Sequence, residues 1–261
     1  MAVKILFIGD IVGKPGRQAL SRELDRLVDR YQVDLVIANG ENAAGGFGLT
    51  AEVVKELFGL GIHCLTSGNH IWDKKEQVAH VLADPSIVRP ANYPPGTPGC
   101  GSMIVKTPGG VKVAVLNLEG RVYMKNLDCP FRIADQEIDR LRQETPVIFV
   151  DFHAEATSEK AALGWYLDGR VSAVVGTHTH VQTADERILT QGTAYMSDVG
   201  MTGSFDSVIG IGKDEAIQRF LTQMPVKFEV PKKDMRINAV VVNIDENSGK
   251  ALSIERIAVT C

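Results

Sequence analysis

Three times near its start the chain runs through a short continuous apolar stretch, breaks into a glycine-bearing polar loop, and resumes at helical spacing. Ile5 to Ile8 empties into Gly9-Asp10-Ile11-Val12-Gly13, after which Leu20, Leu24, Leu27, Val28 and Tyr31 recur among charged residues and predict a helix over 17–31. Leu35 to Ala38 leads into Asn39-Gly40-Glu41-Asn42-Ala43-Ala44-Gly45-Gly46, then a helix opened by Thr50 and carrying Val53, Val54, Leu57 and Phe58. Ile62 to Thr66 leads into Ser67-Gly68-Asn69-His70, with a helix expected around 74–82. Continuous apolar strands must be covered on both faces, and successive strand-helix units join in parallel with right-handed crossovers. The order therefore predicts a parallel sheet whose loops share one edge, where open α/β sheets place ligands.

Beyond residue 84 the pattern changes. A proline-rich stretch, 84–98, is expected to be irregular. Met103 to Val105 and Val111 to Leu116, around Pro108-Gly109-Gly110, predict an antiparallel hairpin that begins a second sheet. Buried strands at 147–150 and 171–175 end in Asp151-Phe152-His153 and Gly176-Thr177-His178-Thr179-His180. A further strand end at 195–200, a helix at 215–221, and a hairpin of 237–244 with 252–259 complete the chain. The expected fold class is α/β, two sheets with outer helices, in a single domain over 1–261.

Composition removes several classes of partner. A formal net charge of −4 and an isoelectric point near 5.9 leave no electrostatic footprint for duplex nucleic acid or an anionic membrane. Cys64, Cys100, Cys129 and Cys261 are widely spaced with no Cys-x-x-Cys pair, which predicts reduced thiols and a cytoplasmic location. No apolar run approaches membrane-spanning length.

Strand ends at the inferred edges offer Asp10, Glu41 with Asn42, Asn69 with His70, His153, His178 and His180, more than one metal ion needs. Two ions about 3.5 to 4 Å apart require a bridging carboxylate, and Glu41 is the natural bridge. His178 and His180, two apart, would face one side of an extended segment and could serve one ion each. His63 opens a strand and His80 falls within a helical pattern, so both read as structural. Lys14 after Gly13 is no phosphate-binding P-loop, since the spacer is short and Pro15 replaces the hydroxyl residue. Asp151, Glu155 and Asp198 either orient ligand histidines or are solvated loop acids.

The order Asp, acid, Gly-Asn-His, lone His, Gly-x-His-x-His resembles the calcineurin-like metallophosphoesterases across essentially the whole chain. More narrowly, Gly9-Asp10-Ile11-Val12-Gly13, Asn39-Gly40-Glu41-Asn42-Ala43, Ser67-Gly68-Asn69-His70, Asp151-Phe152-His153-Ala154-Glu155 and Gly176-Thr177-His178-Thr179-His180 are similar to the bacterial YmdB-type branch. Val12 and Glu41 stand where the broad superfamily has a histidine and an aspartate, which favours the narrower branch. The resemblance implies a four-layer α/β/β/α sandwich and a metal-dependent 2′,3′-cyclic-nucleotide 2′-phosphodiesterase. It implies two metal ions, iron or alternatively manganese, one held by Asp10, Glu41, Asn42 and His180 and the other by Glu41, Asn69, His153 and His178. Hydrolysis by metal-activated hydroxide is then expected to yield 3′-nucleotides, with His70 as general acid, in a cytoplasmic homo-oligomer. The alternatives are a metal-dependent phosphomonoesterase, a phosphodiesterase for 3′,5′-cyclic or linear substrates, or a regulatory nucleotide- or protein-binding module. A pure binding module has no need of the proton donor His70.

Overall fold

The computed structural model describes residues 2–261. Its first strand, β1 (Ala2–Ile8), alternates sides as extended backbone must: Val3, Ile5 and Phe7 face one core, Leu6 and Ile8 another, and all are buried. After the short β2 (Asp10–Ile11), helix α1 (Gly13–Tyr31) crosses to β3 (Leu35–Asn39), and α2 (Ala51–Gly59) crosses to β4 (Cys64–Thr66). Strands β1, β3 and β4 pair in parallel, as the repeated units predict. The expected helix over 74–82 shrinks to α3 (Val78–Val81), preceded by a 3-10 turn at Asn69–Trp72. Asp73 to Gln77 holds no apolar side chain, so a longer helix there would gain no packing.

Residues 84–98 form no strand or helix, as their prolines dictate. The hairpin β5 (Ser102–Lys106) and β6 (Lys112–Glu119) opens a second sheet, joined through α4 (Pro130–Leu141) to β7 (Ile148–His153) and through α5 (Thr157–Tyr166) to β8 (Ala173–Thr177). Neither α4 nor α5 is anticipated from the sequence. Next come β9 (Arg187–Ile188), β10 (Ala194–Met196), β11 (Met201–Ser204), α6 (Lys213–Thr222), β12 (Met235–Asp245) and β13 (Ala251–Thr260). The first sheet has seven strands, ordered β2-β11-β12-β1-β3-β4 with β13 also on β12, and the second has six, ordered β5-β6-β7-β8-β10-β9. The terminal hairpin returns to the first sheet, where β12 lies antiparallel to β1, so that sheet is mixed.

Alternation along the strands produces four layers. Odd-numbered residues of β1 meet Val113, Val115 and Phe149 of the second sheet, with Phe7 and Phe149 stacked at 5.3 Å between ring centroids. Leu6 and Ile8 turn the other way onto Leu20 and Leu24 of α1 and Leu57 of α2. Leu116, Ile148 and Val150 turn outward onto Ala134, Ile138 and Leu163 of α4 and α5. The result is the expected α/β/β/α sandwich, with all four cysteines unpaired. Among the described residues no helix is long and apolar enough to cross a membrane.

Phe149 is fully buried at the centre of the inter-sheet layer. Phe149→Ala should destabilise the protein by about 3–5 kcal/mol through lost transfer energy and a residual cavity. Urea unfolding followed by circular dichroism checks this, and a cost below about 1 kcal/mol would mean that the layer does not depend on this ring.

Candidate metal centre

The carboxyl ends of strands from both sheets meet. Asp10 lies on β2, Glu41 and Asn42 follow β3, Asn69 and His70 follow β4, His153 ends β7, and His178 and His180 follow β8. Around the buried His153 Nε2 stand Glu41 Oε1 at 3.2 Å, Asn69 Oδ1 at 3.0 Å and His178 Nδ1 at 3.0 Å. Donor atoms of Glu41, His153 and His178 all lie within 4.8 Å of one another. A single N–H cannot serve three acceptors, whereas a cation can take all four atoms as ligands. Beside them Asp10 Oδ1 is buried without a hydrogen-bond partner, while Asp10 Oδ2 accepts from the His178 backbone N–H at 3.1 Å. A mixed carboxylate, amide and imidazole set with an orphaned carboxylate oxygen fits a divalent metal ion. Close approach is allowed by Gly68, where a Cβ would overlap the His153 ring and the Glu41 carboxylate.

Electrostatics in this cluster oppose burial. Burial raises a carboxyl pKa, yet His153, followed by His70, holds Glu41 down at about 2. Burial also acts against the charged His153, but the Glu41 carboxylate, then Asp10 and Asp151, lift it to about 9. At Asp10 burial prevails over His180 and His153 and raises its pKa to about 6. His178 is pushed down to about 3 by burial and by the neighbouring His153, so its ring is neutral. Its Nε2 faces Glu155 Oε2 at 3.2 Å, which leaves the Nδ1 lone pair toward the cluster.

Two aspartates brace the histidines. Asp151 is buried and accepts from Thr177 Oγ1 at 2.7 Å, Thr66 Oγ1 at 2.5 Å and Asn39 Nδ2 at 3.0 Å, and burial raises its pKa to about 7. Thr177 Oγ1 in turn meets His153 Nδ1 at 2.9 Å, which turns Nε2 inward. Asp198 pairs with the buried Lys160 at 2.6 Å and accepts from the Thr179 backbone N–H at 3.1 Å and hydroxyl at 2.8 Å. Thr177, Thr66, Asn39 and Lys160 were not singled out in the sequence. Thr177 and Asn39 had a signal, their places inside Gly-x-His-x-His and Asn39-Gly40-Glu41-Asn42-Ala43.

The spacing of His178 and His180 predicts an extended segment, and here the structure differs. Strand β8 ends at Thr177, and both histidines take left-handed backbone, with φ of 103° and 65°. Their rings diverge, His178 toward His153 and His180 Nε2 toward Asn42 Oδ1 at 3.3 Å, with His180 Nδ1 donating to the Ile209 carbonyl at 2.8 Å. Asn69 and His70 likewise diverge in a 3-10 turn, about 120° apart per residue, and not in an extended one. The His70 backbone N–H donates to Glu41 Oε2 at 3.2 Å, while its ring Nδ1 meets Asp73 Oδ2 at 2.7 Å and leaves Nε2 for another partner. His63 sits apart, its Nδ1 accepting from the Val36 N–H at 3.1 Å, and His80 lies on α3. A cavity of about 260 Å³ opens beside the cluster, and Glu41, Asn42, His70, His178 and His180 are part of its lining.

Comparison with known proteins gives the family of the chain. The chain is 51% identical to the 2′,3′-cyclic-nucleotide 2′-phosphodiesterase of Bacillus subtilis over 98% of this chain and 97% of that protein. A crystal structure of a protein from Thermus thermophilus superposes with a TM-score of 0.92 at 43% identity, covering 99% of both chains. That of a novel phosphatase from Mycoplasma pneumoniae gives 0.94 at 36% identity, covering 100% of this chain and 94% of that one. With the YmdB-like protein model matching residues 6–257, nearly the full length, the chain belongs to the YmdB-like family.

Proposed function

We propose that this protein is a metal-dependent phosphodiesterase that opens 2′,3′-cyclic nucleotides to 3′-nucleotides. Asp10, Glu41, Asn42 and His180 hold one ion, Glu41, Asn69, His153 and His178 hold a second, and iron or else manganese is the metal. The carrying observation is the convergence of Glu41 Oε1, Asn69 Oδ1 and His178 Nδ1 on His153 Nε2. Bound there, metal ions supply positive charge against the phosphoryl oxygens and lower the pKa of water. The chain's own part is to place the phosphorus and to move a proton. His70 is the proton donor: Asp73 and the Phe47 ring, 4.9 Å away, fix its imidazole at the cavity, and Nε2 can meet the departing ribose oxygen. A phosphomonoesterase, whose substrate carries more negative charge, is less well supported, because Glu155 and Glu229 line this cavity and no lysine or arginine does.

Metal-loaded protein given a 2′,3′-cyclic nucleotide should release the 3′-phosphate, resolved by chromatography against authentic 2′- and 3′-monophosphates. Release of the 2′-phosphate would reverse the nucleotide in the site and refute the assignment of the leaving oxygen.

Because Glu41 serves both ions, Glu41→Gln should lose more metal and more rate than Asp10→Asn, which removes a ligand from one. Elemental analysis after reconstitution checks the metal, and equal losses in the two variants would argue against a bridge.

His70→Ala should keep its metal and slow cyclic-nucleotide hydrolysis by about 10²- to 10⁴-fold, but slow a bis-nitrophenyl phosphate much less, since nitrophenolate leaves without a proton. His178→Ala should instead lose metal and harm both substrates. Equal slowing of both esters by His70→Ala would assign that ring to binding or positioning.

A further inference from the structure

The cavity beside the cluster is lined by residues of two kinds. Besides the polar donors its lining includes Phe47, which packs on the His70 ring, and Ile209, Phe228 and Val230, which together make an apolar wall. We propose that this apolar wall is the subsite for the nucleobase of the cyclic nucleotide, an inference that rests on the phosphodiesterase reading above.

The position of the proton donor sets the side. In a 2′,3′-cyclic nucleotide one ribose carries both ester oxygens and the base, so the base must lie on the side of the leaving oxygen. That is the side of His70, which lines this cavity. A second depression, beyond His178, is lined by Asn69, Tyr123, Met124 and Lys125 and lacks His70.

The wall itself is built for a flat apolar partner. Phe47 and Phe228 are half-buried, and the Arg219 guanidinium stands 5.1 Å from the centroid of the Phe228 ring. Val230 is seated on the loops that carry the donor residues, since a Cβ at Gly13 or at Gly46 would stand 3.2 Å from its methyl groups. Ile209 is the most telling residue. Val208 and Ile211 exchange backbone hydrogen bonds of 2.8 and 3.0 Å around a two-residue turn in which Ile209 has φ 47° and Gly210 φ 96°. Left-handed backbone at both positions is a type I′ turn, which Asn-Gly fills without strain and a β-branched residue does not. The Ile209 side chain is 47% exposed, so core packing does not account for it. Contact with a ligand in the cavity does, and local strain of this kind is kept at binding sites.

The test compares kcat/KM for 2′,3′-cyclic AMP with that for ribose 2′,3′-cyclic phosphate lacking a base, using metal-loaded protein. In Phe228→Ala the ratio of the two should fall roughly 5- to 100-fold, the range set by stacking of one base on one aromatic ring, with the change in KM. Ile209→Gly, which suits the turn and keeps the carbonyl that binds His180, should lower the ratio by less. Metal content equal to wild type confirms that both variants are folded at the site. Tyr123→Ala should leave the ratio unaltered. A ratio unchanged in both wall variants, or one that collapses in Tyr123→Ala instead, overturns the subsite. A wild type that opens both esters equally well also overturns it while leaving the phosphodiesterase reading intact, and a wild type that opens neither sinks both.

Discussion

Glu41 and His153 form the contact on which the site depends. Both are buried, so each would by itself carry a large desolvation penalty, and each is kept charged by the other. The pairing is incomplete, because Asn69 Oδ1 and His178 Nδ1 crowd the same nitrogen and Asp10 Oδ1 has no hydrogen-bond partner. Apolar packing cannot resolve such a cluster and one proton cannot satisfy it. Cations can, which makes the strongest electrostatic demand in the protein also its most direct functional statement.

Holding that cluster requires stiffness on two sides. Asp10, Glu41 and Asn69 come from the first sheet and His153 and His178 from the second, so the inter-sheet layer around Phe7 and Phe149 determines how far apart the donors lie. Behind them the Asp151 network ties Thr66 and Asn39 of one sheet to Thr177 of the other through buried hydrogen bonds. The left-handed His178 and His180 are held in place by Asp198, Lys160 and the Ile209 carbonyl. Precision at the ends of the strands is thus supplied by polar groups behind the donor atoms.

The donor atoms and the apolar lining of the cavity come from adjoining segments of the chain. The donor atoms gather where strands of both sheets end, whereas the apolar lining comes from the loop at Phe47, the turn at Ile209 and the segment carrying Phe228 and Val230. Loops tolerate variation that strand ends do not. Here, however, Phe47 shares a loop with Glu41 and Asn42 and the Ile209 carbonyl accepts from His180, so a change in this lining also reaches the donor cluster.

The sequence by itself determined the parallel core of the first sheet, the second sheet and the membership of the polar cluster, because buried strands are continuous apolar runs and their ends are marked by glycine. It determined less about the outer helices: the charged run at Asp73 to Gln77 passes for a helix by its neighbours, but α3 has little to bury there. The return of β12 against β1 was a tertiary outcome, since a hairpin's pattern shows which residues pair with each other and not which sheet they join. So was the supporting shell. Thr66 and Lys160 carry no local signal, as their roles depend on hydrogen bonds to Asp151 and Asp198 across 85 and 38 residues of chain. The opposed directions of His178 and His180 also needed the fold, because left-handed backbone at a histidine is imposed by surrounding contacts and not encoded by the residue. Composition and periodicity specify what must be buried; only packing in three dimensions decides which buried polar groups meet.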